Sequence, residues 1–179
     1  ADALAGNYAI PAFNFYNMET LGAILDAARI THSPVILAVS ESAMKYMSSE
    51  TLIGMIRGAN ITPSDQIALH LDHGASVDAC RHAIEIGFSS VMIDASAKPF
   101  AENIELTQQV VDIAHQHNVS VESELGTLGG IEDENTFGTV NYTNPADVEK
   151  FVNETNIDSL AVAIGTSHGA YKRKRETED

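Results

Sequence analysis

The chain has a single cysteine, Cys80, in 179 residues. That excludes an internal disulfide framework and fits a reducing, cytoplasmic setting. Basic residues are also scarce: 10 Lys and Arg stand against 25 Asp and Glu, for a formal net charge of -15. Nucleic acid and anionic membrane both need basic surface, so neither is expected as a partner. A phosphorylated small molecule needs only local donors and stays open. No apolar run approaches the roughly 20 residues of a membrane span. The opening Ala-Asp-Ala-Leu-Ala-Gly lacks the basic start and apolar run of a signal peptide, and the sequence begins at Ala1 with no initiator methionine.

What is present is apolar and ordered. Hydrophobic residues make up 44% of the chain, enough to bury a core, and the length suits one domain or part of a larger one. Short runs rich in Val, Ile, Ala and Leu occur at Tyr8–Phe13, Pro34–Val39, Gln66–Leu71, Ser89–Ile93, Val119–Val121 and Ser159–Ile164. They are mostly continuous rather than alternating, the pattern of parallel strands buried on both faces. Helical periodicity fills the gaps. Met18, Leu21, Ile24, Leu25 and Ala28 form one stripe, Val77, Ala83 and Ile84 another, and Phe100, Ile104, Val111 and Ala114 a third. Gly87 reads as a helix C-cap and Asn144-Pro145 as a helix start, with Val148, Phe151 and Val152 facing inward and Asn156 as the stop. Gly54 and Gly58 weaken a helix over Ser48–Ala59. Gly126–Thr143 has no clear period and reads as a long loop.

Six βα-type units in succession predict an α/β protein with a parallel sheet. Polar residues follow nearly every strand: Asn14, Ser40, Asp72 with His73, Asp94, Glu122 with Glu124, and His168. A doubly wound sheet concentrates its ligand groups at one switch point, whereas groups spread over successive strand ends mark a (β/α)8 TIM barrel. Eight units need about 250 residues. The expectation is therefore a single barrel domain over residues 1–179, with six of its eight units present and its C-terminal end missing.

Asp72 and His73 end one apolar run side by side, so one can face substrate while the other holds a metal. His73 and His168 are each followed by glycine, which lets backbone approach a ligand. Either histidine alone is equally a capping or surface residue. His70, three residues before His73, turns to the opposite side and reads as packed. His32, His82, His115 and His117 fall in or beside helices and read as solvated. Asp94 closes the run Val91-Met92-Ile93 and needs a partner if buried. Glu122 and Glu124 share a strand face, and a cation beside such an acidic cluster relieves repulsion; imidazole with carboxylate suits zinc, or Mn, Co or Fe. Three glycines in Gly126–Glu132 suggest a loop that swings Glu132 over substrate, against the plain alternative of an acidic surface loop.

Taken together, Leu71-Asp72-His73-Gly74, Ser90-Val91-Met92-Ile93-Asp94-Ala95-Ser96, Val121–Gly126 with Gly129–Asp133, and Ala163–Gly169 stand in the order of the class II fructose-bisphosphate aldolases. Pro11–Asn14 and Ser40-Glu41-Ser42 fit as well, and the resemblance runs from Tyr8 to Lys174. It implies a (β/α)8 barrel enzyme, dimeric or tetrameric, that reversibly cleaves fructose 1,6-bisphosphate into dihydroxyacetone phosphate and glyceraldehyde 3-phosphate in glycolysis and gluconeogenesis. It also implies zinc as catalytic cofactor, a second metal position and a monovalent cation. Under it, His73 and His168 resemble two of three zinc histidines, Asp94 and Glu124 the second, buried metal position, and Asp72 the acid/base at the C4 hydroxyl. Glu132 resembles the loop glutamate of proton transfer, Asn14 a substrate-orienting amide, Ser40 a phosphate-side contact and Gly169 a backbone contact to the triose phosphate. Zinc would stabilise the enediolate left by C–C cleavage.

The rival Schiff-base route needs a lysine, ordinarily at a strand end, whereas Lys45, Lys98, Lys150, Lys172 and Lys174 all fall in helices or loops. Ala97 replaces a histidine common in the family, Tyr171–Glu176 carries arginines where glycines are usual, and the third zinc histidine lies beyond Asp179 in the family. Tagatose 1,6-bisphosphate, differing by one hydroxyl configuration, remains an alternative substrate. A non-catalytic truncated barrel with a binding or structural role is the competing class, since an open barrel edge invites pairing. A native polypeptide of about 30 kDa or more with zinc favours the enzyme.

Overall fold

The protein, seen in a computed structural model, is described at residues 2–128, 130–132, 135–137 and 140–166. A short helix α1 (Asp2–Gly6) precedes strand β1 (Ala12–Asn14) and helix α2 (Met18–Thr31). Then follow β2 (Val35–Ser40), α3 (Glu41–Met47), α4 (Ser49–Gly58), β3 (Ile67–Gly74), α5 (Val77–Ile86), β4 (Ser90–Ile93) and α6 (Phe100–Gln116). The remaining elements are β5 (Ser120–Leu125), β6 (Gly130–Glu132), β7 (Asn135–Phe137), α7 (Pro145–Thr155) and β8 (Ser159–Val162).

Six strands form one all-parallel sheet in the order β1-β2-β3-β4-β5-β8. Each strand lies beside its predecessor in the main sheet, with no reversal and hence no switch point. This is the arrangement of six consecutive units of a (β/α)8 barrel, as the apolar runs predict. Leu71, Val91 and Val121 stand in register on β3, β4 and β5, all at 0% exposure, and pack with Leu21, Ala83, Val110 and Ala114 of the helices. The other face of β3 carries His70 and Asp72. Alternation along strands thus divides an apolar sheet-to-helix core from a polar inner face.

Caps set the helix ends. Asn17 Oδ1 accepts the Thr20 N–H at 2.8 Å to open α2, and Asn144 Oδ1 accepts that of Ala146 at 3.1 Å to open α7. Gly87 closes α5 at φ 108°, donating to the Ala83 and Ile84 carbonyls, and Asn156 closes α7 at φ 56°. Three sequence expectations need correction, and one helix that glycine weakens on paper is present. Gly126–Thr143 is not a loop throughout, because β6 and β7 pair antiparallel, with Glu132 opposite Asn135, and Thr127 bridges Asn141. Segments of three residues are too short to show a period. Ser49–Gly58 is helical despite its glycines, with Leu52 at 0% exposure anchoring it. Met18 is 68% exposed, in a groove between α2 and α4. Val152, next to the buried Phe151, turns outward by the 100° step between helical neighbours.

Below the sheet, Arg29 ties α2 to the approach to β3. Its Nε donates to Asp65 Oδ1 at 3.1 Å, and its guanidinium also reaches the Ala59 carbonyl. The Thr62 backbone N–H donates to Asp65 Oδ2 at 2.7 Å. That backbone bond, with Arg29 and the Thr62 hydroxyl, holds the Asp65 carboxyl at about 2 against an ordinary 3.8. A carboxyl depressed in the folded state stabilises it above the ordinary pKa, and the contribution fades as pH falls from 3.8 toward 2. Arg29→Ala is expected to move the Asp65 midpoint upward in an NMR titration; an unmoved midpoint would assign the depression to Thr62 alone.

Candidate metal and substrate site

The C-terminal ends of β1 to β5 bring together most of the described polar residues singled out in the sequence. Strand β3 is the centre. Its pairing with β4 slips between Leu71 and Gly74, and His73 lies in the left-handed region at φ 49°. Such a bulge re-aims side chains, and a non-glycine residue held there stores about 1 kcal/mol or more of strain. Its consequence is that His73 leaves the regular alternation and meets the ends of the next two strands.

His73 Nδ1 lies 2.8 Å from Asp94 Oδ2 and 3.9 Å from Glu124 Oε2. One ligand atom from each of the three residues falls within 4.8 Å of the others, a group that can hold a metal ion. His73 therefore stands with Asp94 and Glu124 in a single cluster, where the sequence reading assigned the histidine and the carboxylates to two metal positions. Asp94 has its required partners: His73, and Ser96, whose Oγ and N–H donate to Oδ1 at 2.7 and 3.1 Å. Burial works to raise the Asp94 carboxyl, but the His73 and Ser96 hydrogen bonds outweigh it and hold it below the ordinary range. Ser96 was missed as a site residue; the signal was the Asp-x-Ser spacing of an Asx-type turn.

Glu124, 4% exposed, is positioned from behind. Asn103 of α6 donates from Nδ2 to the Glu124 carbonyl at 2.9 Å, and Thr107 bonds Ser123 at 3.0 Å. Neither Asn103 nor Thr107 was singled out, because both sit inside a helical stripe that reads as ordinary core.

Asp72 ends up in register with Ser40 of β2. Asn14 donates from Nδ2 to Asp72 Oδ2 at 2.8 Å, so the amide at the end of β1 orients this carboxylate. Ser40 Oγ accepts the Ala43 N–H at 3.3 Å and lies 3.0 Å from Ser42 Oγ, so it caps α3. His70 is buried as expected but shares the inner face with Asp72, two residues on. Its Nδ1 is 2.8 Å from Ser90 Oγ and its Nε2 is 3.7 Å from Glu122 Oε2. Burial pushes the imidazole toward its neutral form, and burial together with the nearby Asp72 charge pushes Glu122 up. Two outer histidines have partners rather than solvent alone: His82 lies 3.0 Å from Ser49 Oγ and His115 3.0 Å from Asp158 Oδ2.

Gly74 makes its close approach to strand β4 and helix α5. A Cβ there would lie 2.7 Å from the Met92 carbonyl oxygen and 3.0 Å from Cys80 Sγ. Cys80 is fully buried, and burial pushes its thiol up to about 12. Among the described residues no lysine lies on a strand, and Lys98 and Lys150 are paired with Glu102 and Glu154 on exposed surface. Glu132 is the last residue of β6. His168 and Gly169 lie outside the described residues. No described helix is long and apolar enough to cross a membrane.

A profile of the family described as fructose-bisphosphate aldolase class-II matches residues 1–178. The fructose-bisphosphate aldolase of Geobacillus stearothermophilus is 49% identical over 176 residues, covering 96% of this chain and 61% of its own length. That of Treponema pallidum is 50% identical over 179 residues, with 96% and 54% covered. Among solved structures, the YdjI aldolase from Escherichia coli K12 superposes with a TM-score of 0.78 at 37% identity, over 93% of this chain and 60% of that one. The chain thus spans a little more than half the length of these relatives.

Proposed function

Since the chain belongs to the class II fructose-bisphosphate aldolase family, we propose that its protein reversibly cleaves fructose 1,6-bisphosphate into dihydroxyacetone phosphate and glyceraldehyde 3-phosphate, as a glycolytic lyase. The observation that carries the reading is the meeting of Asn14–Asp72 with the His73, Asp94 and Glu124 cluster at adjoining strand ends. One imidazole nitrogen with two carboxylates is a donor set that suits zinc, with Mn, Co or Fe able to use the same atoms. The fit rests on the convergence of those atoms and on two carboxylates held close together in a largely buried place, where a cation relieves their repulsion. When bound, zinc would supply positive charge for the oxygen that becomes negative as the C–C bond breaks.

The chain's own residues supply the rest. Asp72, oriented by Asn14, takes the proton from the C4 hydroxyl in cleavage and returns it in condensation. His73 Nδ1 is the imidazole nitrogen beside both carboxylates, 2.8 Å from Asp94 Oδ2 and 3.9 Å from Glu124 Oε2, and a metal bound there would displace the proton that the His73–Asp94 pair shares. His168 is a second imidazole for the metal, Glu132 exchanges the proton at the dihydroxyacetone phosphate carbon, and Ser40 and Gly169 contact phosphate. A monovalent cation, a homodimeric or homotetrameric assembly and a cytoplasmic location complete the proposal. Tagatose 1,6-bisphosphate differs at one hydroxyl and is the second substrate to assay.

The test is cleavage of both bisphosphates by the native protein, before and after chelation. Expected is faster cleavage of the fructose sugar, abolished by metal removal and restored by zinc. A clear preference for tagatose would replace the substrate, and activity indifferent to chelation would overturn the metal-dependent reading.

A further inference from the structure

The strained turn at His73 is clamped from both sides, and one of the clamps comes from a neighbouring strand end. On one side the Asp94 backbone N–H donates to the Gly74 carbonyl at 2.9 Å, which ties the bulge to β4. On the other, the Ala75 backbone N–H donates to Glu41 Oε1 at 2.7 Å. Glu41 is the first residue of α3, immediately after Ser40, and Ser40 pairs with Asp72 in the β2–β3 register. Its carboxylate therefore spans from the end of β2 to the chain two residues beyond His73.

We propose that Glu41 is a positioning residue that locks the His73 bulge, and thereby sets the metal affinity of the His73, Asp94 and Glu124 cluster. This rests on the metal-binding reading above. A residue at φ 49° without glycine's freedom relaxes toward extended backbone unless its surroundings hold it. Relaxation at His73 would rotate the imidazole away from Asp94 and Glu124. Glu41 prevents it without touching metal or substrate, by fixing the backbone downstream. A backbone N–H that donates to a side-chain oxygen of the next strand end at 2.7 Å is a bond able to hold such a turn. Reach is what matters: aspartate keeps the charge but is shorter by one methylene, whereas glutamine loses the charge and keeps an oxygen at the same distance.

The experiment compares the native protein with Glu41→Ala, Glu41→Asp and Glu41→Gln. Zinc affinity is read by competition with a chromophoric chelator, and the Ala75 amide by hydrogen exchange. Expected is a roughly tenfold or greater loss of affinity in the Ala and Asp variants, as for supporting groups of other metal ligands. Ala75 exchange should quicken in both, with Glu41→Gln restoring affinity and protection. Parent-like affinity in Glu41→Ala overturns the proposal, as does a Gln variant as weak as the Ala one. Should Glu41→Ala fail to fold, equal affinities of the Asp and Gln variants overturn it. Zinc uptake by a parent that cleaves neither bisphosphate would remove the aldolase reading and leave this one standing.

Discussion

Asp72→Asn is expected to lower cleavage by roughly 10²–10⁴-fold, the usual range for loss of a positioned acid or base, while zinc content stays at the parent level. The substitution keeps the shape of the side chain and an oxygen that can still accept from Asn14 Nδ2, now at 2.8 Å from the carboxylate. What it removes is the ability to take a proton. The cluster of His73, Asp94 and Glu124 does not include Asp72, so the metal should remain. A fall in kcat with little change in KM fits a group that acts in the transition state rather than in binding. Steady-state kinetics with metal analysis on the same preparation decides the matter. Unchanged turnover would remove Asp72 from the mechanism, and loss of zinc alongside activity would make it a support of the metal site instead.

Gly74→Ala is expected to destabilise the protein by about 1–3 kcal/mol, the range for forcing an extra methyl into a packed site, and to weaken zinc binding with it. The added Cβ would lie 2.7 Å from the Met92 carbonyl and 2.9 Å from Leu71 Cδ2. A backbone oxygen in a strand has no rotamer to move to, so β3 and β4 must separate locally. That separation falls where Gly74 accepts from the Asp94 N–H, one residue from the His73 bulge. Denaturant unfolding with and without zinc measures both effects. A parent-like midpoint would show that the two strands yield at this point, and the tight approach would carry no energetic weight.

These two outcomes depend on different kinds of information. That the end of β3 bears an acid beside an imidazole is plain from Leu71-Asp72-His73-Gly74, because the apolar run stops there and the residue types are chemically distinct. The same holds for Asp94 after Val91-Met92-Ile93, and for the caps at Asn17, Gly87 and Asn144. Each is a local signal: the hydrophobic period changes, or a residue suited to a terminal φ appears, within a few positions of its effect. The ribbon of β6 and β7 escaped notice because strands of three residues offer no period to read. Met18 and Val152 were misplaced because an apolar side chain at the margin of a stripe is turned inward or outward by what its helix packs against.

The alternation of strands and helices, the parallel sheet, and the places of Asn14, Ser40, Asp72, Asp94 and Glu124 at strand ends follow from residue order alone. Local propensity and hydrophobic spacing suffice for that, and they also make a barrel the economical arrangement. Which of these groups meet depends on the folded arrangement of the strands. The left-handed backbone of His73 is not a preference of histidine. It is imposed where the β3–β4 ladder slips, and it is what sends the imidazole to Asp94 and Glu124 rather than along the regular alternation of the strand. Likewise Asn14 reaches Asp72 across 58 positions, and Glu41 reaches Ala75 across 34. Contacts of that separation follow from strand register, which no short stretch of sequence contains. Glycine after His73, read from the sequence as room for a ligand, also gives room to β4 and α5: a Cβ at Gly74 would meet the Met92 carbonyl and the sulfur of Cys80.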